Sequence, residues 1–217
     1  MENFGELRIT GYDKKPIKNT LTYLDKPSGK IAIVFPGIGY TCQMPLLYHT
    51  TNVMVQHGYD VLWVEYQYGE VWHGMVEEKR LEMVGFDAEA ALSAAMSHQK
   101  YKDIVLVGKS LGSYALAALN KTHGIKKSVG LTPLLERKLI YPIMDQKAGA
   151  GLFIIGSIDP EYSQERLDAL KKNGGKVLVI PDADHSIEIH TAGLRGDVHK
   201  SIEVLAKVVK EVDSFID

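Results

Sequence analysis

Val105-Leu106-Val107-Gly108-Lys109-Ser110-Leu111-Gly112-Ser113 decides how this chain is read. Three apolar residues make a strand. Gly108 to Gly112 make a tight turn centred on Ser110, and the small residues that follow open a helix. In that context a Gly-x-Ser-x-Gly turn holds its serine in a strained bend at the carboxyl end of a strand. Glycine is needed on both sides, because a side chain there would strike the neighbouring strand and helix. A hydroxyl presented in this way is a candidate nucleophile for acyl transfer.

Working outward, apolar runs alternate with helix-like segments. Ile31-Ala32-Ile33-Val34-Phe35 is a continuous apolar run, as in a strand covered on both faces. It ends at Pro36-Gly37-Ile38-Gly39. Further strands are predicted at Asp60–Tyr66, Asp103–Val107, Ser128–Leu131, Gly151–Ile155 and Lys176–Ile180. Helices are predicted at Pro45–Gln56, closed by Gly58, and at Phe86–His98, Leu111–Lys121, Leu135–Gln146 and Glu161–Lys172. A last helix repeats apolar residues at Val198, Ile202, Leu205, Val209, Val212 and Ile216. Near the amino end, Glu6–Tyr12 and Thr20–Leu24 read as an antiparallel pair joined through Lys14-Lys15-Pro16.

This alternation predicts a single α/β domain over residues 1–217, with a mostly parallel sheet and helices on both faces. The chain has 217 residues, enough for a substantial core. A net charge of −2, with basic residues scattered, points away from a nucleic-acid partner. The single cysteine, Cys42, forms no intrachain disulfide and fits a reducing compartment. No secretory signal is visible in Met1–Glu6, and no apolar run reaches the roughly 20 residues of a membrane span. The expected setting is cytoplasmic, with no membrane partner; the oligomeric state is not legible.

A serine hydroxyl needs a base to take its proton, and the base needs a partner to fix its tautomer. His185, just past the last strand, is the natural base. Asp159, just past the preceding strand, is the natural orienting acid. Asp182 and Asp184 are alternatives, but they adjoin His185, and reaching its far ring nitrogen from there is awkward.

With the order Ser110, Asp159, His185, each residue at a strand end, the chain resembles the α/β-hydrolase superfamily from the Ile31 strand to the last helix. The resemblance implies a serine hydrolase, most simply a carboxylesterase; the alternatives are cleavage of an amide or C–C bond by the same triad, or a non-catalytic small-molecule-binding protein on the same fold. Ser110 would attack the acyl carbon, His185 would move the proton, and Asp159 would hold the imidazole. The backbone N–H groups of Leu111 and Ile38 would form the oxyanion hole. Two departures stand out. Many relatives carry His-Gly where this chain has Pro36-Gly37, and many carry a further glycine where it has Ser113. The interval Thr132–Ala150 is too short for a cap domain, so an open site is expected, taking a small or surface-presented ester or thioester and requiring no cofactor. Gln67–Gly85 is the other place where a short lid could form.

Other residues read more plainly. Glu65 and Glu70 are taken as solvated or structural. Trp63, Trp72, Tyr66 and Tyr68 are taken as packing. His49, His57, His73, His98, His123, His190 and His199 show no metal-type spacing. Cys42 lacks a base of its own, and Lys109 occupies the variable position of the elbow.

Overall fold

A computed structural model describes residues 2–190 and 196–217, the side chains of Glu70 and Val71 excepted. Its centre is one eight-stranded sheet. The strands are β1 (Glu2–Gly5), β2 (Lys18–Leu24), β3 (Lys30–Phe35), β4 (Asp60–Glu65), β5 (Asp103–Lys109), β6 (Lys127–Leu131), β7 (Gly151–Gly156) and β8 (Lys176–Ile180). The spatial order is β1-β2-β4-β3-β5-β6-β7-β8. β3 to β8 run parallel, while β1 and β2 are antiparallel additions at one edge.

The helices are α1 (Pro45–Gln56), α2 (Glu77–His98), α3 (Gly112–Thr122), α4 (Tyr141–Gln146), α5 (Gln164–Lys172) and α6 (Val198–Ile216). Strand alternation divides the core in two. Ile31, Ile33 and Phe35 of β3 and Leu106 of β5 join the layer containing α2, α3 and α5. Ala32, Val34, Val105 and Val107 point the other way, into the layer of α1 and α6. Because both faces are covered, these strands have no polar side and read as unbroken apolar runs.

The order reverses between β3 and β5: from β3 the chain winds to β4 on one side, then crosses to β5 on the other. Ligand sites in open α/β sheets form outside the strand ends at such a point. Here it is flanked by the loop after β3 and by Ser110 after β5. Between β6 and β7 lie only α4 and one short turn of 3₁₀ helix, so there is no cap domain among the described residues. Among the described residues no helix is long and apolar enough to cross a membrane.

Several sequence expectations are corrected. The amino-terminal pair is Glu2–Gly5 with Lys18–Leu24, not Glu6–Tyr12 with Thr20–Leu24. The Asn19 side chain occupies both backbone groups of Leu7, accepting its N–H and donating to its C=O at 2.8 Å each. Only an isolated bridge, Thr10 with Pro16, remains beyond it, and Pro16 has no N–H with which to extend a ladder. α2 begins at Glu77 rather than Phe86, so Glu77–Gly85 is helix rather than lid. The rest of that loop holds a 3₁₀ turn, Gly69–Gly74, anchored by the buried Trp72.

α4 is half the predicted length because Pro142 belongs in a first helical turn and cannot lie in a helix interior. α5 starts at Gln164, not Glu161; the Glu161 N–H is already held by the Asp159 carboxylate at 2.9 Å. In α6 the buried apolar residues are Val208, Val212 and Ile216, whereas Val198 and Ile202 are mostly exposed.

Candidate active site

The elbow begins with two close approaches. A Cβ on Gly112 would lie 2.3 Å from the Phe35 carbonyl oxygen, and one on Gly108 would lie 2.4 Å from Leu116 and 2.8 Å from the Gly112 oxygen. Only glycine lets the helix start so near the strands. Ser110 itself has φ +50°, the left-handed region that a non-glycine residue enters at a cost of about 1–3 kcal/mol. The bend is held by the Ser110 N–H donating to Leu131 O at 3.0 Å and the Ser113 N–H donating to Ser110 O at 2.8 Å. Ser113, where a glycine is common in the resembling superfamily, is buried, and its hydroxyl accepts the Leu134 N–H at 3.2 Å. The substitution therefore adds an acceptor without opening the packing.

Two further loops converge on this bend. Asp159 follows β7 and His185 follows β8. Their loops are joined by Ser157 N–H to Ile180 O at 2.8 Å, Ile158 N–H to Ala183 O at 3.1 Å, and Asp182 N–H to Ser157 Oγ at 2.8 Å. Gly156 makes this junction possible: a Cβ there would lie 2.0 Å from the Ala183 oxygen and 2.8 Å from the Asp184 oxygen. Gly156→Ala is expected to destabilise the fold by about 3–5 kcal/mol, because the contact is backbone that must shift bodily. Urea denaturation measures this; a change within about 0.5 kcal/mol would show that the two loops can part freely.

The outcome is a relay. The His185 Nδ1 lies 2.8 Å from Asp159 Oδ2, and its Nε2 lies 2.8 Å from Ser110 Oγ. The Asp159 side chain is fully buried, and its other oxygen accepts the Glu161 N–H. With an acidic acceptor at Nδ1, the ring proton belongs on that nitrogen, leaving Nε2 to accept from the serine. The alternative acids are engaged elsewhere. Asp182 is exposed. Asp184 accepts from Ser186 N–H and Glu188 N–H and pairs with His190 at 2.8 Å. Burial opposes its ionisation, but these bonds prevail and hold its carboxyl below the usual range. Asp184, Glu188 and His190 bring one donor atom each within 4.8 Å on this surface loop, whereas the sequence reading found no metal-type spacing at His190.

The backbone N–H groups of Leu111 and Ile38 donate to no protein acceptor among the described residues. Both residues line a cleft of about 250 Å³ with Ser110 and His185. Gly37 brings the Ile38 loop close: a Cβ on it would lie 3.3 Å from Ser110 Cβ. Through Ile38, Trp72 and Leu111 this cleft adjoins a second of about 560 Å³, also lined by Glu65, Tyr66, Tyr68 and His73. Tyr66, Tyr68 and Trp72 stack with centroids 4.9 and 5.6 Å apart. They pack, as expected, and also wall the groove. Glu65 pairs with Lys18 at 3.1 Å; the Glu70 side chain lies outside the described part. Cys42 is fully buried, and burial raises its thiol pKa, which suppresses the thiolate that a nucleophile requires.

Sequence reading passed over Lys109. It is 2% exposed, and its ammonium donates to His185 O at 3.0 Å and Thr132 Oγ1 at 3.2 Å, lying 4.4 Å from the centroid of the Tyr40 ring. It thereby ties the elbow to the histidine loop and to the loop after β3. The available signal was a lysine continuing a strand covered on both faces. Burial lowers its pKa to about 8, against the opposing pull of Asp159 and Asp184. Between that value and the ordinary 10.5, the unfolded chain holds the proton more tightly than the native state. The cost is complete below pH 8 and gone above 10.5. Wild type should therefore gain about 3 kcal/mol of stability relative to Lys109→Met on going from pH 7 to 10.5. Urea denaturation across that range measures it; a pH-independent difference would contradict a buried ammonium.

Layer order, switch point and elbow together define the α/β-hydrolase fold. No protein-family model and no curated protein matches the chain. Solved structures do. XC6422 from Xanthomonas campestris, described as a member of the a/b serine hydrolases without lid, is 16% identical at TM-score 0.70, covering 98% of this chain and 95% of that one. The Pyrococcus furiosus esterase Pf2001 is 16% identical at TM-score 0.66, covering 99% and 93%. Est1E from Butyrivibrio proteoclasticus, solved with ferulic acid bound, is 16% identical at TM-score 0.68, covering 95% and 96%. At this identity the likeness establishes the shared fold.

Proposed function

We propose that this protein is a serine hydrolase that cleaves a carboxylic ester or thioester of a small or surface-accessible molecule through an acyl-enzyme. The observation that carries the reading is the hydrogen-bond order Ser110, His185, Asp159, at 2.8 Å per step across three separate strand ends. Ser110 Oγ attacks the acyl carbon as Nε2 of His185 takes its proton. Asp159, already paired at Nδ1, stabilises the imidazolium that forms. The unspent N–H groups of Leu111 and Ile38 receive the charge developing on the carbonyl oxygen. His185 then protonates the departing alkoxide or thiolate, and activates the water that releases the acid. No step calls on a cofactor.

The open cleft supports a substrate that enters without a cap domain having to move. The proposed setting is the cytoplasm and the proposed partner a diffusible ester, with neither nucleic acid nor membrane involved. Rapid mixing with p-nitrophenyl acetate and butyrate tests the chemistry. A burst of p-nitrophenol approaching the amount of enzyme, followed by slower steady release, is expected of an acyl-enzyme. A folded sample that turns over no ester or thioester in a broad panel would overturn the reading in favour of a binding role on the same scaffold.

A further inference from the structure

Polar side-chain atoms that are buried and lack a partner are few, and each demands an explanation. Among the described residues there are seven, and three belong to residues lining the small cleft beside Ser110: Arg80 Nε, Tyr114 Oη and Arg137 Nε. Tyr114 is fully buried in α3, which leads directly from the elbow. Its O–H finds no acceptor among the described residues, since the neighbouring Arg80 and Arg137 guanidinium groups can only donate, and an unspent buried donor carries a desolvation cost.

The charges around the cleft are unevenly paired. Arg137 Nη2 meets Glu161 Oε1 at 2.5 Å, while the other oxygen of Glu161 accepts the Glu136 N–H. Arg80 lies over the Trp72 ring at 4.8 Å and donates to the Trp72 carbonyl at 3.0 Å, but meets no carboxylate among the described residues. Glu77, the remaining acid near Tyr114, accepts the Leu139 N–H. Three donor atoms of residues lining the cleft thus have no acceptor among the described residues, although Glu161, already engaged, lines it too. Two of the three belong to guanidinium groups, which can only donate.

We propose that this cleft is a carboxylate subsite, so that the preferred substrate is the monoester of a small dicarboxylic acid, its free carboxylate held by Arg80, Arg137 and Tyr114 while its ester carbonyl faces Ser110. The proposal rests on the hydrolase reading and deepens it. A volume of about 250 Å³ suits a short diacid rather than a long acyl chain. Guanidinium groups match carboxylate geometry, and a charge-assisted bond from a buried phenol adds to them.

The test compares mono-p-nitrophenyl glutarate with p-nitrophenyl butyrate, and measures binding of free glutarate to the full chain carrying Ser110→Ala. The expected kcat/KM ratio, glutarate monoester over butyrate, is at least about 10-fold in favour of the anion, as charge-assisted bonding implies. Arg80→Gln should lower that ratio by about 10-fold or more. Tyr114→Phe keeps the ring and the core packing, so it guards against a variant that merely fails to fold. It should lower the ratio about 3- to 10-fold while its melting temperature in buffer equals or exceeds that of wild type, because an unpartnered hydroxyl has gone.

Glutarate should raise the melting temperature of Ser110→Ala, and raise it less when Tyr114→Phe is added. A ratio near one with no shift by glutarate would overturn the subsite and leave the hydrolase standing. Glutarate binding that depends on Tyr114, in a protein that hydrolyses neither ester, would support the subsite and overturn the hydrolase. A melting temperature well below wild type for Tyr114→Phe, with the ratio unchanged, would show the hydroxyl to be structural and overturn its assignment.

Discussion

Ser110→Ala is expected to lower kcat/KM for a short p-nitrophenyl ester by about 10⁴- to 10⁶-fold. The loss is large because in the proposed mechanism Ser110 supplies the bond-forming atom, and among the described residues no other serine oxygen bonds to His185. Binding and the two backbone donors survive, so a residual rate above that of water should remain. Stability moves little: alanine occupies the same space and inherits the same φ of +50°. Ser110→Gly separates strain from chemistry. It is equally inactive, yet should exceed Ser110→Ala in stability by about 1 kcal/mol, because glycine enters the left-handed region without penalty. An active Ser110→Ala enzyme would remove the serine from the mechanism.

Asp159→Asn is expected to cost about 10⁴-fold in kcat with the fold retained. The reason lies in the second oxygen. Asp159 Oδ1 accepts the Glu161 N–H, so an asparagine must keep its carbonyl oxygen on that side. Its NH₂ then faces His185 Nδ1 and can only donate, which moves the ring proton to Nε2. An Nε2–H cannot accept the Ser110 proton. Asp184→Asn, by contrast, should change kcat less than about 10-fold, since Asp184 bonds within its own loop and to His190. Reversed effects of the two variants, read by steady-state kinetics beside melting curves, would exchange the assignments of acid and bystander.

The parts legible in the sequence were those where one local signal had no competitor. The runs at β3 and β5 are apolar on both faces, so their strand character and central position follow together. The elbow glycines have no substitute, since a Cβ at Gly112 would meet the Phe35 carbonyl. The order Ser110, Asp159, His185 follows from strand ends, and the distances place the three side chains in that relay.

What the sequence concealed depends on contacts between distant segments. Asn19 captures the Leu7 backbone and shifts the edge strand to Glu2–Gly5. The early turns of α2 carry Glu77, Arg80 and other charged residues that look like loop until packing orders them. Val198 and Ile202 keep the helical period of α6 yet stay exposed, because periodicity specifies a face and not its coverage. Lys109 read only as the variable residue of the elbow, and nothing in the sequence singled out Tyr114; burial beside the histidine loop and beside two arginines gives each its significance.

The most direct measurement is to treat the folded, full-length chain with a fluorophosphonate, digest it, and locate the adduct by mass spectrometry. A phosphonyl group on Ser110 alone, lost when His185 is replaced by alanine, is the predicted result. An unmodified protein, or an adduct on any other serine, would contradict the account.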